Sequence, residues 1–280
     1  YNVGITEPYF LDKPISFSTN VYNEESENNA GDIKTDKFGL GLGLGMKEKL
    51  IFHSLGYSYT QSSSTTSSTS TAASVTGEEG NNIITSSIKY SIYKDTRDNA
   101  FNPSSGYKWL ISNTLAGVGG DSKFIKSIAS YQIFYPIDYN DYTLAFKTGL
   151  GSVNSLDDKV TRSNRFNLGG RVIRGFDSGG VGPRDTGNNQ VVGGNNFYNI
   201  STELRSDKYM PDDTGIEWLL FTDIGSLWGT DYETGVKGFD DIEPRITSGF
   251  GFSMRTAVGP LQLLWGFPMQ SKSYDVEEKF

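Results

Sequence analysis

Residues 38–46 read Phe-Gly-Leu-Gly-Leu-Gly-Leu-Gly-Met. In an extended chain, successive side chains point to opposite faces, so this run puts every apolar side chain on one face and every glycine on the other. A strand in a soluble sandwich would carry Lys, Glu and Thr on its polar face. Glycine there implies a crowded interior or a closely approaching backbone.

The alternation recurs along the chain, while the helical period is almost absent. Ile15, Phe17, Thr19 and Val21 share a face, and Ile84, Ile88, Tyr90 and Ile92 oppose Thr85, Ser87, Lys89 and Ser91. Tyr142, Leu144, Phe146 and Leu150 oppose Thr143, Lys147, Gly149 and Gly151. Tyr198, Ile200 and Leu204 oppose Asn199, Ser201, Glu203 and Arg205. Ile246, Phe250, Phe252 and Met254 oppose Thr247, Gly249, Gly251 and Ser253, and Leu261, Leu263, Trp265 and Phe267 form the last set. About eleven strands are predicted, near 14–22, 34–46, 51–61, 83–94, 107–117, 123–136, 141–152, 196–206, 216–228, 244–255 and 260–268. Many approach the roughly 9–11 residues with which a tilted strand crosses a bilayer, and some exceed it, as strands projecting beyond the membrane would.

Two architectures accommodate such strands. A soluble sandwich packs its apolar faces inward, whereas an outer-membrane barrel turns them to lipid and lines its lumen with polar residues. Three features favour an antiparallel transmembrane β-barrel. Aromatics sit near strand ends (Tyr93, Tyr107, Trp109, Tyr135, Trp218, Trp228), as an aromatic girdle requires. Short connections at 46–50, 95–106, 137–141, 207–215 and 256–259 alternate with long polar ones, among them the acidic, Asn-rich 22–33 and the Ser/Thr-rich 58–74. The opposite strand face carries small and polar residues, as a wet lumen does. No domain boundary and no helical domain is evident, and no stretch approaches the roughly 18 apolar residues of a spanning helix.

Composition narrows the chemistry. The 280 residues include no Cys and one His, so there is no disulfide framework, thiolate metal site or thiol nucleophile, and only His53 offers an imidazole. A net charge of −8 argues against nucleic acid as a partner. The Gly-x-Gly run at 39–45 lacks the strand–turn–helix setting and the Lys of a nucleotide loop. No motif supports a metal or cofactor. Asp95, Arg97 and Asp98 could form an acid pair with an anion binder, but in a turn closed by Pro103 and Gly106 a local Asp–Arg network is the simpler reading.

Two further segments resemble a known family. Residues 95–106 read Asp-Thr-Arg-Asp-Asn-Ala-Phe-Asn-Pro-Ser-Ser-Gly. Residues 168–185 read Leu-Gly-Gly-Arg-Val-Ile-Arg-Gly-Phe-Asp-Ser-Gly-Gly-Val-Gly-Pro-Arg-Asp. Together they resemble the BamA-type outer-membrane insertases, in a superfamily with TamA, the Sam and Toc pore proteins and the two-partner secretion transporters. Residues 115–124, Thr6–Phe10 and Gly259-Pro260-Leu261 are similar to BamA-type proteins in particular. The resemblance spans essentially the whole chain. It implies a barrel of about sixteen strands preceded by POTRA repeats. On that template Thr6–Phe10 follows the fourth strand, Ser271–Phe280 opens the turn before the last, and residues 1–280 form a partial barrel domain of about strands five to fifteen. The POTRA repeats and both seam strands would then lie outside this chain, which should be inactive alone.

The resemblance also implies that residues 169–192 form a loop folded into the lumen, with Ile173, Arg174, Gly175 and Phe176 at its tip. Independently of it, an arginine inside a barrel needs carboxylate partners, because an unpaired buried guanidinium is costly. Strand parity points Glu203 inward with Asn199 and Ser201, and Asp223 inward with Phe221 and Gly225. Both carboxylates match acidic positions of the family, and Phe221 matches the aromatic beside them. A planar guanidinium can serve both carboxylates. The expected role is structural, a bolt between loop and wall.

By resemblance, the function is to fold and insert β-barrel proteins into the bacterial outer membrane through a lateral seam, without ATP. The implied partners are nascent barrel proteins, outer-membrane lipids and accessory lipoproteins, the last mainly through the POTRA repeats. Rival readings are a two-partner-secretion or TamA-like pore, a passive porin, and a soluble β-sandwich module. An enzyme is not expected.

Overall fold

The computed structural model describes residues 1–28, 33–66, 81–138, 141–157, 159–211, 214–256, 259–278 and 280. The strands are β1 (Asn2–Glu7), β2 (Ile15–Asn28), β3 (Ile33–Glu48), β4 (Ile51–Thr66), β5 (Ile83–Asp95), β6 (Gly106–Ile137), β7 (Tyr142–Ser155), β8 (Arg184–Asp185), β9 (Asn196–Ser206), β10 (Ile216–Trp228), β11 (Val236–Lys237), β12 (Arg245–Thr256) and β13 (Gly259–Gln270). β6 doubles back at Gly117, Gly119 and Gly120, all with positive φ. Ser127 Oγ in its second arm donates to Asn113 Oδ1 in its first at 2.7 Å. The eleven-segment sheet therefore contains twelve antiparallel runs.

The sheet is an up-and-down meander, β1-β2-β3-β4-β5-β6-β7-β9-β10-β12-β13, and the short pair β8–β11 lies apart from it. β1 and β13 are its edges, and no pairing joins them among the described residues, so the sheet is an open, curved wall. β1 was not anticipated as a strand. It pairs with β2 over Asn2↔Tyr22 to Glu7↔Phe17.

Register explains the glycine face. Tyr22 of β2 lies opposite Gly39 of β3, which lies opposite Thr60 of β4. Tyr22 crosses the bare backbone of Gly39 and its hydroxyl meets Thr60 Oγ1 at 2.8 Å. A Cβ at Gly39 would fall 2.2 Å from the tyrosine ring, and one at Gly41 would fall 2.2 Å from Asn20 Oδ1. The glycines are thus the floor on which side chains of β2 lie. Gly39→Val should evict Tyr22 and cost about 1–3 kcal/mol, as overpacking does. Urea titration of the parent protein in detergent should show the loss, and an unchanged midpoint would contradict it.

The opposite face is apolar and uncovered. Leu42 is 50% exposed, Leu150 56% and Leu220 51%, and no second sheet packs on them among the described residues. Apolar surface this extensive requires another medium, and that medium is lipid, as in a transmembrane barrel. The sandwich reading fails for this reason. The buried apolar cluster lies on the inner side, where Val160, Phe166, Leu168, Ile173, Phe176 and Val181 of the β7–β9 connection meet Ala116, Phe124, Val153 and Leu227 of the wall.

Two expectations need correction. Tyr93 is not part of an outward girdle. It shares the inner face with Thr85, Ser87, Lys89 and Ser91, and stacks on Phe52 with ring centroids 4.7 Å apart. Tyr107, Trp109, Tyr135, Trp218 and Trp228 do share the outward face. The polar connections at 22–33 and 58–74 begin later than expected. β2 runs to Asn28 and β4 to Thr66, because a backbone ladder can continue past the lipid into water with polar side chains, and in β4 these are Ser and Thr, which suit a strand. Ser58 Oγ, for example, lies 2.9 Å from Ser87 Oγ across β4 and β5. Residues 29–32 and 67–74 of those expected loops lie outside the described residues. The Phe280 ring rests 5.2 Å from that of Trp265.

Candidate functional site

The 40-residue connection between β7 and β9 folds back against the inner wall. Its two arms pair through isolated bridges at Phe166↔Gly194, Leu168↔Val181 and Arg184↔Val191. At its tip Val172 N–H donates to Gly169 O at 3.2 Å and Gly170 N–H to Phe176 O at 2.9 Å, closing a tight turn. Gly175 has φ +92°, open to glycine and strained for other residues. The turn buries Ile173 and Phe176 completely and directs Arg174 at the wall.

Strand register builds the receptor for that arginine. Phe221 of β10 is opposite Glu203 of β9, and Asp223 is opposite Ser201. Side chains directly opposite stand about 4.5–5.5 Å apart at Cβ, so these four residues form a rectangle on the inner face. The guanidinium covers it. Arg174 Nε donates to Asp223 Oδ2 at 2.7 Å, Nη2 to Asp223 Oδ1 at 2.7 Å, and Nη1 to Glu203 Oε2 at 2.8 Å. Nη2 also donates to Ser201 Oγ at 3.1 Å, and the backbone N–H of Arg174 to Asp223 Oδ2 at 3.1 Å. Cζ lies 3.6 Å from the centroid of the Phe221 ring, a cation–π stack. Lys147 of β7 stands 3.7 Å from Glu203. Two cations thus face two anions, with the Glu203 and Asp223 side chains 5% and 1% exposed. The geometry fixes position and balances charge.

The wall meets the loop at glycines as well. A Cβ at Gly225 would strike Ile173 Cδ1 at 2.6 Å, and one at Gly266 of β13 would strike Gly175 N at 2.6 Å and its Cα at 2.7 Å. Ser201, turned inward beside Glu203 by parity, belongs to the seat, and so do Gly266 and Lys147, which the sequence reading does not assign to it. Parity of β7 could have found Lys147. Nothing in the sequence could have found Gly266, whose role is backbone contact with a residue 91 positions away.

In the β5–β6 turn the structure divides the expected network. Arg97 grips Asp95 through Nε–Oδ1 at 2.9 Å and Nη2–Oδ2 at 2.8 Å. Asp98 is not joined to Arg97. Its carboxylate accepts the backbone N–H groups of Asn99, Ser104 and Ser105 at 2.9–3.1 Å and the Ser104 hydroxyl. Burial pushes the Asp98 carboxyl up, but those donors outweigh it and hold it below the usual carboxylate range. Asn102 Nδ2 reaches across to Glu217 Oε1 of β10 at 2.8 Å, so the turn spans the short-connection mouth. His53 lies on the outward face of β4, its Nδ1 2.7 Å from the Tyr90 hydroxyl. Among the described residues no group of three or more His, Cys, Asp or Glu could hold a metal.

An antiparallel wall with a lipid-facing apolar exterior, and a long loop pinned by arginine inside it, defines an outer-membrane β-barrel with an occupied lumen. The Omp85 superfamily domain matches residues 1–280, and the chain belongs to that superfamily. It is 29% identical over 219 residues to the outer membrane protein assembly factor BamA of Neorickettsia risticii (strain Illinois), covering 78% of this chain and 29% of that protein. Among solved structures, BamA from Haemophilus ducreyi lacking POTRA domains 1–3 superposes with a TM-score of 0.86 at 20% identity, over 99% of this chain and 60% of that one. CdiB from Acinetobacter baumannii superposes with a TM-score of 0.56 at 14% identity, over 94% of this chain and 45% of that one. The chain is a BamA-type barrel segment of the bacterial outer membrane, spanning under a third of the curated relative's length.

Proposed function

We propose that the protein to which this chain belongs folds and inserts β-barrel proteins into the outer membrane. The observation that carries this reading is the sequence likeness, over most of the chain, to a protein named as an outer-membrane assembly factor. In the proposed mechanism a weak seam in the complete barrel opens toward lipid, and an incoming strand pairs with the exposed edge by β-augmentation. Unpaired backbone groups in hydrocarbon cost several kcal/mol by rough estimate, so an open edge selects a new strand and no ATP is needed. Nascent barrel proteins and outer-membrane lipids are the proposed partners, with accessory lipoproteins docking outside this segment. The Arg174 cluster with Glu203, Asp223 and Phe221 acts as a bolt holding the lumen loop, and the Asp95, Arg97 and Asp98 turn is scaffold. Neither is catalytic.

A secretion pore is the second reading, because CdiB shares the architecture, although its superposition is looser. Depletion of the parent protein in its host separates the two. Assembly predicts that several unrelated outer-membrane barrel proteins fall together while their unfolded forms accumulate. Loss of one exported cargo, with barrel proteins at normal levels, would favour the pore and contradict the proposal.

A further inference from the structure

A second arginine has its side chain wholly buried, and the Arg174 seat does not use it. Arg245 opens β12 on the inner face, opposite Gly225. Burial of a guanidinium demands a carboxylate; Asp241 stands 3.7 Å from that of Arg245, and the partner it grips through two nitrogens comes from beyond β13. Arg245 Nε donates to Asp275 Oδ2 at 2.9 Å and Nη2 to Oδ1 at 3.3 Å. Both side chains are 0% exposed. Arg245 Nη1 also donates to Glu243 O at 2.8 Å, and Nη2 to the Tyr274 hydroxyl at 3.0 Å. That hydroxyl in turn donates to Asp241. Gly238 makes room for it, since a Cβ there would fall 2.5 Å from the Tyr274 oxygen. Asp275 itself accepts the Lys272 N–H at 2.7 Å, which sets the turn after β13.

The backbone just beyond Asp275 runs along the lumen loop. Val276 N–H donates to Gly180 O at 2.9 Å, Asp177 N–H to Val276 O at 3.0 Å, and Glu278 N–H to Gly175 O at 3.0 Å. Phe176 and Glu277 face each other as an antiparallel bridge. A Cβ at Gly180 would fall 2.4 Å from Val276 O, so the approach depends on a bare backbone. Residues 276–278 therefore lie as an extra strand against the loop, and Gly175, next to the Arg174 bolt, is one of its partners.

We infer that Arg245 is a positioning residue, a second bolt that grips Asp275 and docks segment 271–278 onto the lumen loop. The loop and the chain leaving β13 then form one mechanical unit. Arg174 ties its loop side to β9 and β10, and Arg245 ties its other side to β12. Beside the three backbone hydrogen bonds, Asn189 Nδ2 of the loop donates to Tyr274 O at 3.3 Å, and Lys272 pairs with Asp241 and Glu243. The ladder is short and these side-chain ties are partly exposed, and the buried Arg245–Asp275 pair is the anchor that fixes the contact. The contact does not depend on the assembly reading above, so its failure and the failure of that reading are separable.

The test uses spin labels in the full-length parent protein in lipid vesicles. This chain has no Cys. Labels at Ser178→Cys and Glu278→Cys report whether the two segments are side by side. Strong dipolar broadening is expected in the otherwise native protein. It should be lost in Arg245→Gln and in Asp275→Asn, while heat-modifiable gel mobility shows both barrels folded. Should Arg245→Gln fail to fold, Asp275→Asn carries the test alone. Asp240→Asn, at an exposed neighbouring carboxylate, should leave the broadening intact. Absence of broadening in the native protein, its survival in folded Asp275→Asn, or an equal loss in Asp240→Asn would overturn the inference.

Discussion

Arg174→Ala should unseat the lumen loop and reduce barrel assembly to near the uncatalysed rate. The substitution removes the charge-assisted bonds to Asp223 and Glu203, the bond to Ser201 and the stack on Phe221. The larger penalty falls on what stays behind. Asp223 loses its cation at a site 1% exposed, and Lys147, 3.7 Å from Glu203, faces only the other carboxylate. Breaking a buried pair by removing one partner costs about 3–5 kcal/mol. At about 1.4 kcal/mol per tenfold, that shifts the seated-to-released equilibrium by roughly two to three and a half orders of magnitude. Protease cleavage within the loop, measured on the parent protein in outer-membrane vesicles, should accelerate accordingly. Arg174→Lys should recover little, because a point-charge ammonium cannot fork between Glu203 and Asp223. Arg174→Ala combined with Asp223→Asn should be less damaging than Arg174→Ala alone, since the stranded charge is gone. Equal damage in the two would contradict the charge argument.

Gly266→Val should have a comparable effect without touching any charge. The new Cβ falls 2.6–2.9 Å from Gly175 N, Gly175 Cα and Arg174 C. These are backbone atoms, and no rotamer change moves them away. The loop tip must back off from β13 and lift Arg174 from its rectangle, at a cost of about 1–3 kcal/mol from overpacking plus the lost bonds. Gly175→Ala should behave similarly, combining strain at φ +92° with a Thr247 Oγ1 contact at 2.8 Å. Gly119→Ala, in the bend of β6 and away from the loop, is the control, because φ there is +104° and nothing lies within 4 Å. Loop cleavage should rise in Gly266→Val and Gly175→Ala and stay at the wild-type rate in Gly119→Ala. A wild-type rate in Gly266→Val would mean that the loop does not rest on β13.

The wall was legible because its information is local. Period two along β3 or β10 states both the element and its faces, and parity alone aimed Glu203 and Asp223 at the same space. Half of the seat was legible for the same reason, since parity turned the two carboxylates inward, whereas the place of Arg174 at the tip of a lumen loop came only from the family resemblance. Contacts with no period were not legible. Gly266 meets Gly175 through bare backbone, and Arg245 finds Asp275 across 30 positions of chain. β8 and β11 are two residues long, too short to show alternation. Tyr93 was misplaced because aromatic enrichment near a strand end was weighed above parity, which put it inside with Lys89 and Ser91. The polar strand ends of β2 and β4 read as loops because residues past the lipid lose the apolar half of the pattern while keeping the ladder.

The most direct measurement is reconstitution of the full-length parent protein in nucleotide-free liposomes, with subsequent addition of a urea-unfolded outer-membrane barrel protein. Folding of that client is read by its gel-mobility shift. An assembly factor whose loop is bolted by Arg174 should accelerate folding over protein-free liposomes without ATP, and that acceleration should collapse in a folded Arg174→Ala protein. Client folding no faster than in protein-free liposomes, with the parent barrel itself correctly folded, would contradict it.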